Sequence, residues 1–389
     1  MRSHIETLSI NSYRGLEELN IENLGFINIL VGDNNVGKTS VLEAIQFFSN
    51  PTKFTLFNLL RGREGRIRTN IADSFRYIFD IKQENFYKLQ IKGIVKNQEE
   101  IVTIKAKKEK RFFDLVELSK TNPILEYKLK HRESLSEEQE ELENFLVRID
   151  SKLHSSESKL FSDEDGFKYN FEINKYSSSF FRINDMASLK VNFIQTIDHL
   201  VANPFRNLIK TKEIKDKAIN LLKEFDNTIE DLRYIEDDNR NYVPVIETNN
   251  GNYIPLSLYG DGLKKVLLLL DSIISVKDGI LLIDEFETGL HTSIMKKVFK
   301  FMSEIAETLN VQLFLTTHSL EAVDKLLEGN NEFLESIRLI RLKKKNGNIY
   351  TRTLDGNEAL KNRKEYDMEL RVWVWEVLFC VRGLMIFIF

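Results

Sequence analysis

Residues 32–40, which read GDNNVGKTS, restrict what this chain can fold into more than any other stretch. An apolar run over residues 26–31 precedes them, and a helical pattern over residues 41–48 follows them. A strand, a G-x-x-x-x-G-K-T loop and a helix, in that order, form the setting that a phosphate-binding P-loop requires. We therefore predict a nucleotide site here, and not a glycine turn that binds nothing.

Each part of this predicted P-loop has a role in holding phosphate. Glycine lets the backbone curl so that its N–H groups point at phosphate oxygens. The Lys38 ammonium would lie beside the β- and γ-phosphates, the Thr39 hydroxyl would bind Mg²⁺, and the following helix would direct its positive end at the same phosphates. We expect nucleotide contacts from Gly32, Asn34, Asn35, Val36, Gly37, Lys38, Thr39 and Ser40.

Composition limits the other classes of function. A length of 389 residues suits one large domain or two. The net charge of −4 gives no general attraction to nucleic acid, so DNA binding would need a local basic face. The single cysteine, Cys380, excludes an intramolecular disulfide and a cysteine-based zinc site. The N-terminus has no apolar signal segment, so we expect a cytoplasmic protein.

Residues 372–389 form a strongly apolar tail, in which Glu376 and Arg382 are the charged residues. The tail has about the minimum length of a membrane span, but two charges near its middle make insertion costly. We expect a buried terminal element or a partner surface, and no membrane helix. An altered reading frame or a cloning scar would look the same.

A region rich in β-like patterns follows the P-loop helix. Short runs over residues 77–81, 87–95 and 101–106 predict an antiparallel sheet beside the nucleotide fold. A basic cluster in this region is typical of a solvated edge strand, with contact to a nucleic acid backbone as the alternative. The cluster consists of Lys105, Lys107, Lys108, Lys110 and Arg111.

The middle of the chain has a different composition. Six glutamates fall within residues 133–143, and Leu142, Leu146 and Ile149 recur at helical spacing. This pattern predicts an acidic amphipathic helix. A second helical pattern extends over residues 207–233. Together they predict an inserted helical lobe.

Two apolar runs in the last third of the chain have acidic or polar ends. Residues 280–283 and 311–316 are typical of parallel strands buried on both faces, with a crossover helix over about 292–309. Asp284 could hold Mg²⁺, and Glu285 would polarise the attacking water as general base. By itself this segment is better explained as a buried strand with a solvated acidic end. The P-loop makes the catalytic interpretation the stronger one.

Two further places could contact phosphate. His318 follows the second apolar run and could donate a hydrogen bond to the γ-phosphate or to the attacking water, although a histidine at a strand end is often structural. Ser257, Gly260 and Gly262 precede an apolar helix, where they could cradle phosphate or form a simple N-cap turn. Since the P-loop already serves one nucleotide, this cradle would serve a second nucleotide or that of a partner.

In this order, the motifs GDNNVGKT, LSLYGDG, LLIDEFETGLH and FLTTHS resemble those of AAA-family ATPases with ATP-binding-cassette heads, of the SMC-like, RecF-type and OLD-like (overcoming-lysogenisation-defect) groups. The motif NSYRGL around Arg14 is similar to the arginine motif that opens many of these heads. The resemblance covers residues 5–49 and 242–371. It implies an α/β P-loop NTPase fold of the ABC-ATPase-head type, with an antiparallel β subdomain and an inserted helical lobe.

The resemblance also implies a role for each motif. Lys38 with Thr39 would be the Walker A pair, Asp284 with Glu285 the Walker B pair, and His318 the switch histidine. The signature loop, which engages ATP across a head-to-head dimer, would contain Ser257, Gly260 and Gly262, and the loop that communicates between the two sites would be residues 287–290 with His291. The predicted domains are residues 1–119 and 236–371 for the two halves of the head, 120–235 for the helical insertion and 372–389 for the tail.

This chain departs from the families that it resembles in three places. The signature reads S-L-Y-G-D-G, so the glycine that meets the γ-phosphate stays open between Gly260 and Gly262. Neither Gln46 nor Gln195 is a convincing Q-loop glutamine. The residues after His318 are too few for the Toprim domain of OLD nucleases, so we expect a stand-alone ATPase that is not itself a nuclease.

The resemblance implies ATP and Mg²⁺ as cofactors, and hydrolysis of ATP by a homodimer or higher homo-oligomer. We expect this ATPase to gate a separate effector or nuclease subunit, resembling those of antiphage systems such as Septu and PARIS. The alternative is a DNA-clamping repair or recombination ATPase of the RecF or SMC type. A transporter subunit fits poorly because of the long insertion and the GDG signature.

Overall fold

The computed structural model describes residues 3–62, 70–79, 82–120, 123–130, 139–152, 167–177, 189–198, 205–237 and 240–371. The apolar tail and residues 133–138 of the predicted acidic helix lie outside this part of the chain. Among the helices of these ranges, none is long and apolar enough to cross a membrane.

The strands of the described residues are distributed along the whole chain. In chain order they are β1 Ile5–Asn11, β2 Leu19–Ile21, β3 Ile27–Gly32, β4 Phe86–Val95, β5 Gln98–Asp114, β6 Gln139–Ser151, β7 Phe167–Ile173, β8 Val191–Ile194, β9 Ile229–Glu236, β10 Tyr242–Thr248, β11 Tyr253–Pro255, β12 Ile280–Ile283, β13 Gln312–Thr316, β14 Ile337–Lys345 and β15 Asn348–Asp355.

The same residues also form α-helices, together with three 3-10 turns over Leu208–Lys210, Leu256–Leu258 and Asn331–Ser336. The helices are α1 Lys38–Ser49, α2 Lys53–Arg61, α3 Ile71–Arg76, α4 Leu115–Ser119, α5 Pro123–Lys130, α6 Lys212–Leu222, α7 Asp261–Ser275, α8 Thr292–Thr308, α9 Leu320–Gly329 and α10 Gly356–Tyr366.

The described residues within the ranges 3–4, 21–38 and 191–371 form one compact unit. Its main sheet has the order β15-β14-β3-β13-β12-β8, and neighbouring strands are parallel except β14 with β15. The strand β3 is buried at every residue because it lies inside the sheet, between β14 and β13. The carboxyl ends of β3, β12 and β13 therefore lie at one edge of the sheet, where open α/β folds bind their ligands.

Helices cover this sheet through one hydrophobic core. Leu267 of α7, Val298 of α8, Val323 of α9 and Leu281 of β12 are all fully buried in it. Removal of this apolar surface from water stabilises the unit and fixes the strand ends that carry the site. The predicted strands over 280–283 and 311–316 and the crossover helix between them are confirmed.

A small antiparallel sheet, in the order β11-β10-β9, also belongs to this unit. Part of it occupies the end of the segment that was predicted as helical over residues 207–233. The helix α6 ends at Leu222, and the Asp226 carboxylate then accepts hydrogen bonds from the backbone N–H and the hydroxyl of Thr228. This side-chain turn redirects the chain into β9, so the helical prediction is wrong after residue 222.

The second compact unit is formed by the described residues within 5–20 and 39–190. Its sheet has the order β2-β1-β4-β5-β6-β7, and the pairs from β1 to β7 are antiparallel. The predicted antiparallel sheet is thereby confirmed for the runs over residues 87–95 and 101–106. The run over 77–81 is wrong as a strand, because residues 77–79 form a turn directly after α3. The domain boundaries that we expected near residues 120 and 236 remain a prediction.

The prediction of an acidic helix that includes Leu142, Leu146 and Ile149 is wrong, because residues 139–151 form β6. Leu142 and Leu146 lie on one face of the strand and Ile149 on the other, and of the three only Leu146 is exposed. The helical spacing of three apolar residues was fortuitous. Residues 139–151 are extended because they pair with Val102–Asp114 of β5.

The basic cluster lies on β5, which is an interior strand and not the predicted edge. Four of its five cations lie near acidic residues of β6 and β7: the Lys108 ammonium lies 2.6 Å from Glu143 on β6, and the Arg111 guanidinium lies 3.6 Å from Glu172 on β7. Lys105 and Lys110 form similar pairs with Asp150 and Glu141. Exposed pairs of this kind contribute about 0–1 kcal/mol each. They also neutralise the cations that a nucleic acid backbone would need.

Candidate nucleotide site

The P-loop begins where β3 ends, at Gly32. The φ of Gly32 is +144°, a conformation that an L side chain rarely adopts, and a Cβ here would overlap the carbonyl oxygen of Leu342 on β14. Asn35 and Gly37 also have positive φ, of 61° and 100°. These residues fold the loop back toward α1. The close packing of Gly32 against β14 explains why a glycine is required at the first position.

Lys38 is the first residue of α1, and its side chain is almost fully buried. Its ammonium donates hydrogen bonds to the carbonyl oxygens of Gly32 at 2.7 Å and Asp33 at 2.9 Å, and it lies 3.3 Å from Nδ1 of His318. Burial lowers the pKa of Lys38 to about 8, and nearby carboxylates, led by that of Asp284, partly oppose the shift. The P-loop cation is therefore close to its titration point at neutral pH.

The other predicted P-loop residues lie where the motif requires. Asn34 and Asn35 are exposed, and Val36 is buried. Thr39 and Ser40 are the second and third residues of α1. Their predicted contacts with nucleotide and Mg²⁺ stay predictions.

Thr316, the last residue of β13, joins the two Walker B carboxylates to the sheet. Its hydroxyl donates to Oδ1 of Asp284 at 2.6 Å and accepts from the backbone N–H of Glu285 at 2.9 Å. Asp284 and Glu285 directly follow β12, which runs parallel to β13, so the ends of the two strands meet here. The φ of Glu285 is +48°, a left-handed conformation that is uncommon outside glycine and is often found at functional sites.

His318 lies between the P-loop lysine and Glu285. Its Nε2 is 3.9 Å from Oε1 of Glu285, and its Nδ1 faces the Lys38 ammonium. Since an ammonium only donates, Nδ1 accepts and the ring proton is on Nε2, on the side of Glu285. Burial and then the positive charge of Lys38 lower the pKa of His318, which keeps the imidazole neutral. The three side chains form one line that ends at the predicted general base.

Two residues outside the predicted catalytic set also contact these side chains: Glu287, which the resemblance placed in the loop after Walker B, and Arg371, which the sequence did not point to. Glu287 accepts hydrogen bonds through Oε1 from the Thr317 hydroxyl at 2.6 Å and from the backbone N–H of His318 at 3.3 Å. Arg371 donates to the carbonyl oxygen of His318 at 2.9 Å. The acidic run that contains Glu287 could have drawn attention to it. Nothing in the sequence connects Arg371 with a residue 53 positions away.

The predicted signature residues form a separate feature of the same unit. Ser257 lies in the 3-10 turn, Gly260 is the N-cap of α7, and Gly262 is in its first turn. Gly260 and Gly262 line an open cavity of about 680 Å³ whose lining residues fall within 223–227 and 258–263, with no P-loop residue among those described. The structure therefore does not bring the signature residues to the P-loop of the same compact unit.

The two remaining residues of the resemblance have structural partners. His291 is exposed and is the N-cap of α8, where its Nδ1 accepts from the backbone N–H of Ser293 at 3.3 Å. Arg14 lies 3.2 Å from the carboxylate of Glu43 and donates to the carbonyl oxygen of Leu59. Their roles toward a nucleotide stay predictions.

A P-loop at the end of a central parallel strand, with two carboxylates and a histidine at the ends of the next strands, is the arrangement of an α/β P-loop NTPase fold. A family model described as "AAA domain, putative AbiEii toxin, Type IV TA system" matches residues 27–324. The chain belongs to this AAA-domain family, and it is an ATPase. The AAA-family prediction is confirmed.

Several known proteins are similar to this chain. An ATP/GTP phosphatase of Helicobacter pylori is 22% identical over 381 residues, which are 90% of this chain and 96% of the relative. The DNA replication and repair protein RecF of Bifidobacterium longum subsp. infantis is 35% identical over 75 residues, 18% of each chain. A solved SMC head, bound to the C-winged helix domain of ScpA, has a TM-score of 0.47 and 13% identity, and the match covers 92% of this chain and 100% of that one.

Proposed function

We propose that this chain is a Mg²⁺-dependent ATPase that closes head-to-head around ATP as a homodimer and thereby gates a separate effector in antiphage defence. The line from Lys38 through His318 to Glu285 carries the catalytic part of this proposal. It puts a phosphate-binding cation, a neutral hydrogen-bond donor and a carboxylate in one row at the carboxyl ends of the central strands.

The donor set fits ATP with Mg²⁺. Lys38 now donates to two carbonyl oxygens of its own loop, and phosphate oxygens can replace these acceptors. The Asp284 carboxylate, oriented by Thr316, is the kind of oxygen ligand that Mg²⁺ prefers. Mg²⁺, when bound, neutralises the negative charge that develops on the transferred phosphoryl group.

In the proposed reaction, Glu285 accepts a proton from the attacking water as general base. His318 stays neutral and donates from Nε2, either to the γ-phosphate or to the same water. Thr316 accepts a hydrogen bond from the backbone N–H of Glu285 and so holds this residue at the ends of the central strands. Hydrolysis by wild-type protein, compared with the Glu285→Gln variant, tests this assignment.

The homodimer is supported by the place of the signature residues. Gly260 and Gly262 line a cavity without a P-loop residue among those described, although they have the composition of a phosphate cradle. Two-fold symmetry would give each nucleotide one P-loop and one signature loop, from different chains. ATP would then stabilise the closed form by its preference for it, and hydrolysis would release that form.

The role in defence is supported by the family description, which names a toxin and a type IV toxin–antitoxin system. A phage-plating assay tests it. Cells that express this chain with its neighbouring genes should plate phage at reduced efficiency, and Glu285→Gln should remove the protection. Loss of protection with Glu285→Gln but normal folding of that variant would tie defence to turnover.

A DNA clamp of the RecF type is the second candidate, because one segment of the chain is similar to RecF. Turnover by the purified protein should then rise on addition of DNA. The ion pairs between β5 and β6 argue against the basic cluster as the DNA contact. DNA-stimulated turnover together with an absence of phage protection would favour the clamp over the gated effector.

A further inference from the structure

Lys265 on α7 is a fully buried lysine, and its ammonium has no hydrogen-bond partner among the described residues. Burial of an unpaired cation is costly, and lysine is among the residues that are rarely buried without a partner. The helix α7 starts at Asp261, directly after Gly260 of the signature loop. Any movement of the signature loop that shifts α7 would therefore also move Lys265.

The charges that act on Lys265 belong to the catalytic edge of the sheet. Burial lowers the pKa of Lys265, and the carboxylates of Asp198, Glu287, Asp284 and Glu285 partly oppose this shift. Glu287 has a matching defect, since its Oε2 is buried and accepts no hydrogen bond among the described residues. A buried cation and a buried carboxylate oxygen thus act on each other while neither has a hydrogen bond.

Glu287 can pass a movement of α7 on to His318, because its Oε1 already accepts hydrogen bonds next to that residue. Through Oε1 it holds the Thr317 hydroxyl and the backbone N–H of His318. The loop that carries Glu287 also touches α7: a Cβ on Gly262 would lie 2.9 Å from the carbonyl oxygen of Gly289. A shift of the first turn of α7 would therefore move this loop.

We propose that Lys265 is a positioning residue for ATP hydrolysis, which forms a direct ion pair with Glu287 when the signature loop engages a nucleotide. This inference rests on the proposed roles of Glu285, His318 and the signature loop. The new pair satisfies both buried groups at once and pulls on the residue that holds the backbone of His318. The His318 ring then takes its working position beside Glu285. Lys265 itself contacts neither the nucleotide nor the water.

The variant Lys265→Met tests this inference, because methionine keeps most of the volume and removes the charge. We expect kcat to fall about tenfold or more, while the Kd for ATP changes by less than about threefold, since the P-loop is untouched. The melting temperature should not fall, because an unpaired buried charge is lost. Lys264→Met is the matched control. It removes the neighbouring lysine, whose ammonium lies 3.5 Å from the Asp261 carboxylate and is not proposed to pair with Glu287.

Two further variants separate positioning from simple packing. Lys265→Arg keeps the charge and should recover part of the lost kcat. Glu287→Gln should lower kcat by a similar factor, and the double variant with Lys265→Met should be no slower than the slower single variant, because both changes remove one interaction.

Three results would overturn the inference: normal kcat in Lys265→Met, an equal loss in Lys264→Met, or multiplicative losses in the double variant. Failure of the proposed function looks different. In that case Glu285→Gln turns over normally, whatever Lys265→Met does. An inactive Glu285→Gln beside a fully active Lys265→Met rejects the role of Lys265 alone.

Discussion

The Lys38 ammonium lies 3.3 Å from Nδ1 of His318, a residue 280 positions later in the chain. This contact fixes the histidine tautomer, because the proton that Nδ1 lacks must be on Nε2. It also means that the P-loop cation and the histidine are coupled. If Lys38 binds phosphate oxygens as proposed, Nδ1 of His318 would lose this donor, and the ring would be free to move toward Glu285.

The affinity for ATP should depend on pH through Lys38. Its pKa is about 8, and the ammonium form is the one that binds phosphate, so bound phosphate raises this pKa. Below pH 8 the ammonium form predominates and affinity is constant; above pH 8 the Kd for ATP should rise, by up to about tenfold per pH unit. Titrations between about pH 7.5 and about pH 9.5 measure this, with circular dichroism to confirm folding.

The control for that experiment is Lys38→Arg, whose guanidinium does not titrate in this range. The Kd of this variant for ATP, whatever its absolute value, should be the same at the lowest and the highest pH of the titration. A wild-type Kd that stays flat would show that Lys38 is not the titrating contact.

Glu285→Gln should bind ATP and lose hydrolysis by orders of magnitude, because the amide cannot accept the proton of water. Lys38→Ala should instead lose binding as well. A single-turnover assay with pre-bound ATP separates the two effects. Normal hydrolysis by Glu285→Gln would move the general base to another residue.

Thr316→Val should reduce turnover although it leaves both carboxylates in place. Valine has the same shape but neither donates to Asp284 nor accepts from the Glu285 backbone, so a buried N–H loses its partner. We expect kcat to fall about tenfold and the Mg²⁺ concentration for half-maximal activity to rise. Thr316→Ser keeps the hydroxyl and should stay near wild type; equal losses in both would assign the effect to packing.

Gly32→Ala should destabilise the protein by about 2 kcal/mol or more. The added methyl group meets the Leu342 carbonyl, and the φ of +144° is unsuitable for alanine. Gly260→Ala is the matched control, because a Cβ at Gly260 meets nothing within 4 Å and its φ is −66°. Urea unfolding measures the free energy of unfolding of both variants. Equal values for Gly32→Ala and Gly260→Ala would mean that the P-loop can relax around the added methyl group.

Assembly around ATP is best tested at Gly260. Gly262→Asp would strike the carbonyl oxygen of Gly289, whereas aspartate at Gly260 has open space and is a favourable N-cap for α7. In a Glu285→Gln background, light scattering should show a larger species on addition of ATP. Gly260→Asp should abolish this shift by placing a carboxylate near the γ-phosphate, and the neutral Gly260→Asn should retain it. Equal assembly by both would reject a signature loop that acts on a partner's nucleotide.

The sequence predicted those parts of the fold that local chemistry determines. A glycine-rich loop between a strand and a helix, and apolar runs that end at Asp284 and His318, have few alternative structures. The strand β6 was misread because its exposed Leu146 completed a helical spacing, and a single sequence does not show pairing with β5. The acidic and basic clusters looked like two separate features for the same reason.

The unpredicted parts of the site are contacts between distant segments. Thr316 and Arg371 were present in the sequence, but a threonine in a buried strand and an arginine beyond the last motif have many ordinary roles. Only the parallel register of β12 and β13 gives Thr316 its position between Asp284 and Glu285. The roles of the predicted site residues toward nucleotide stay predictions until their variants are measured.

The position of β3 between β13 and β14 has a consequence for synthesis of the protein. The Asn28 side chain on β3 donates to the carbonyl oxygen of Leu313, 285 residues later. At about 5 to 20 residues per second, the ribosome needs about 15 to 60 seconds to supply that partner. Until then the P-loop strand has neither neighbour, and a nascent chain cannot assemble Lys38, Asp284 and His318. A chain that is released before residue 312 therefore lacks both neighbours of the P-loop strand, and it also lacks His318.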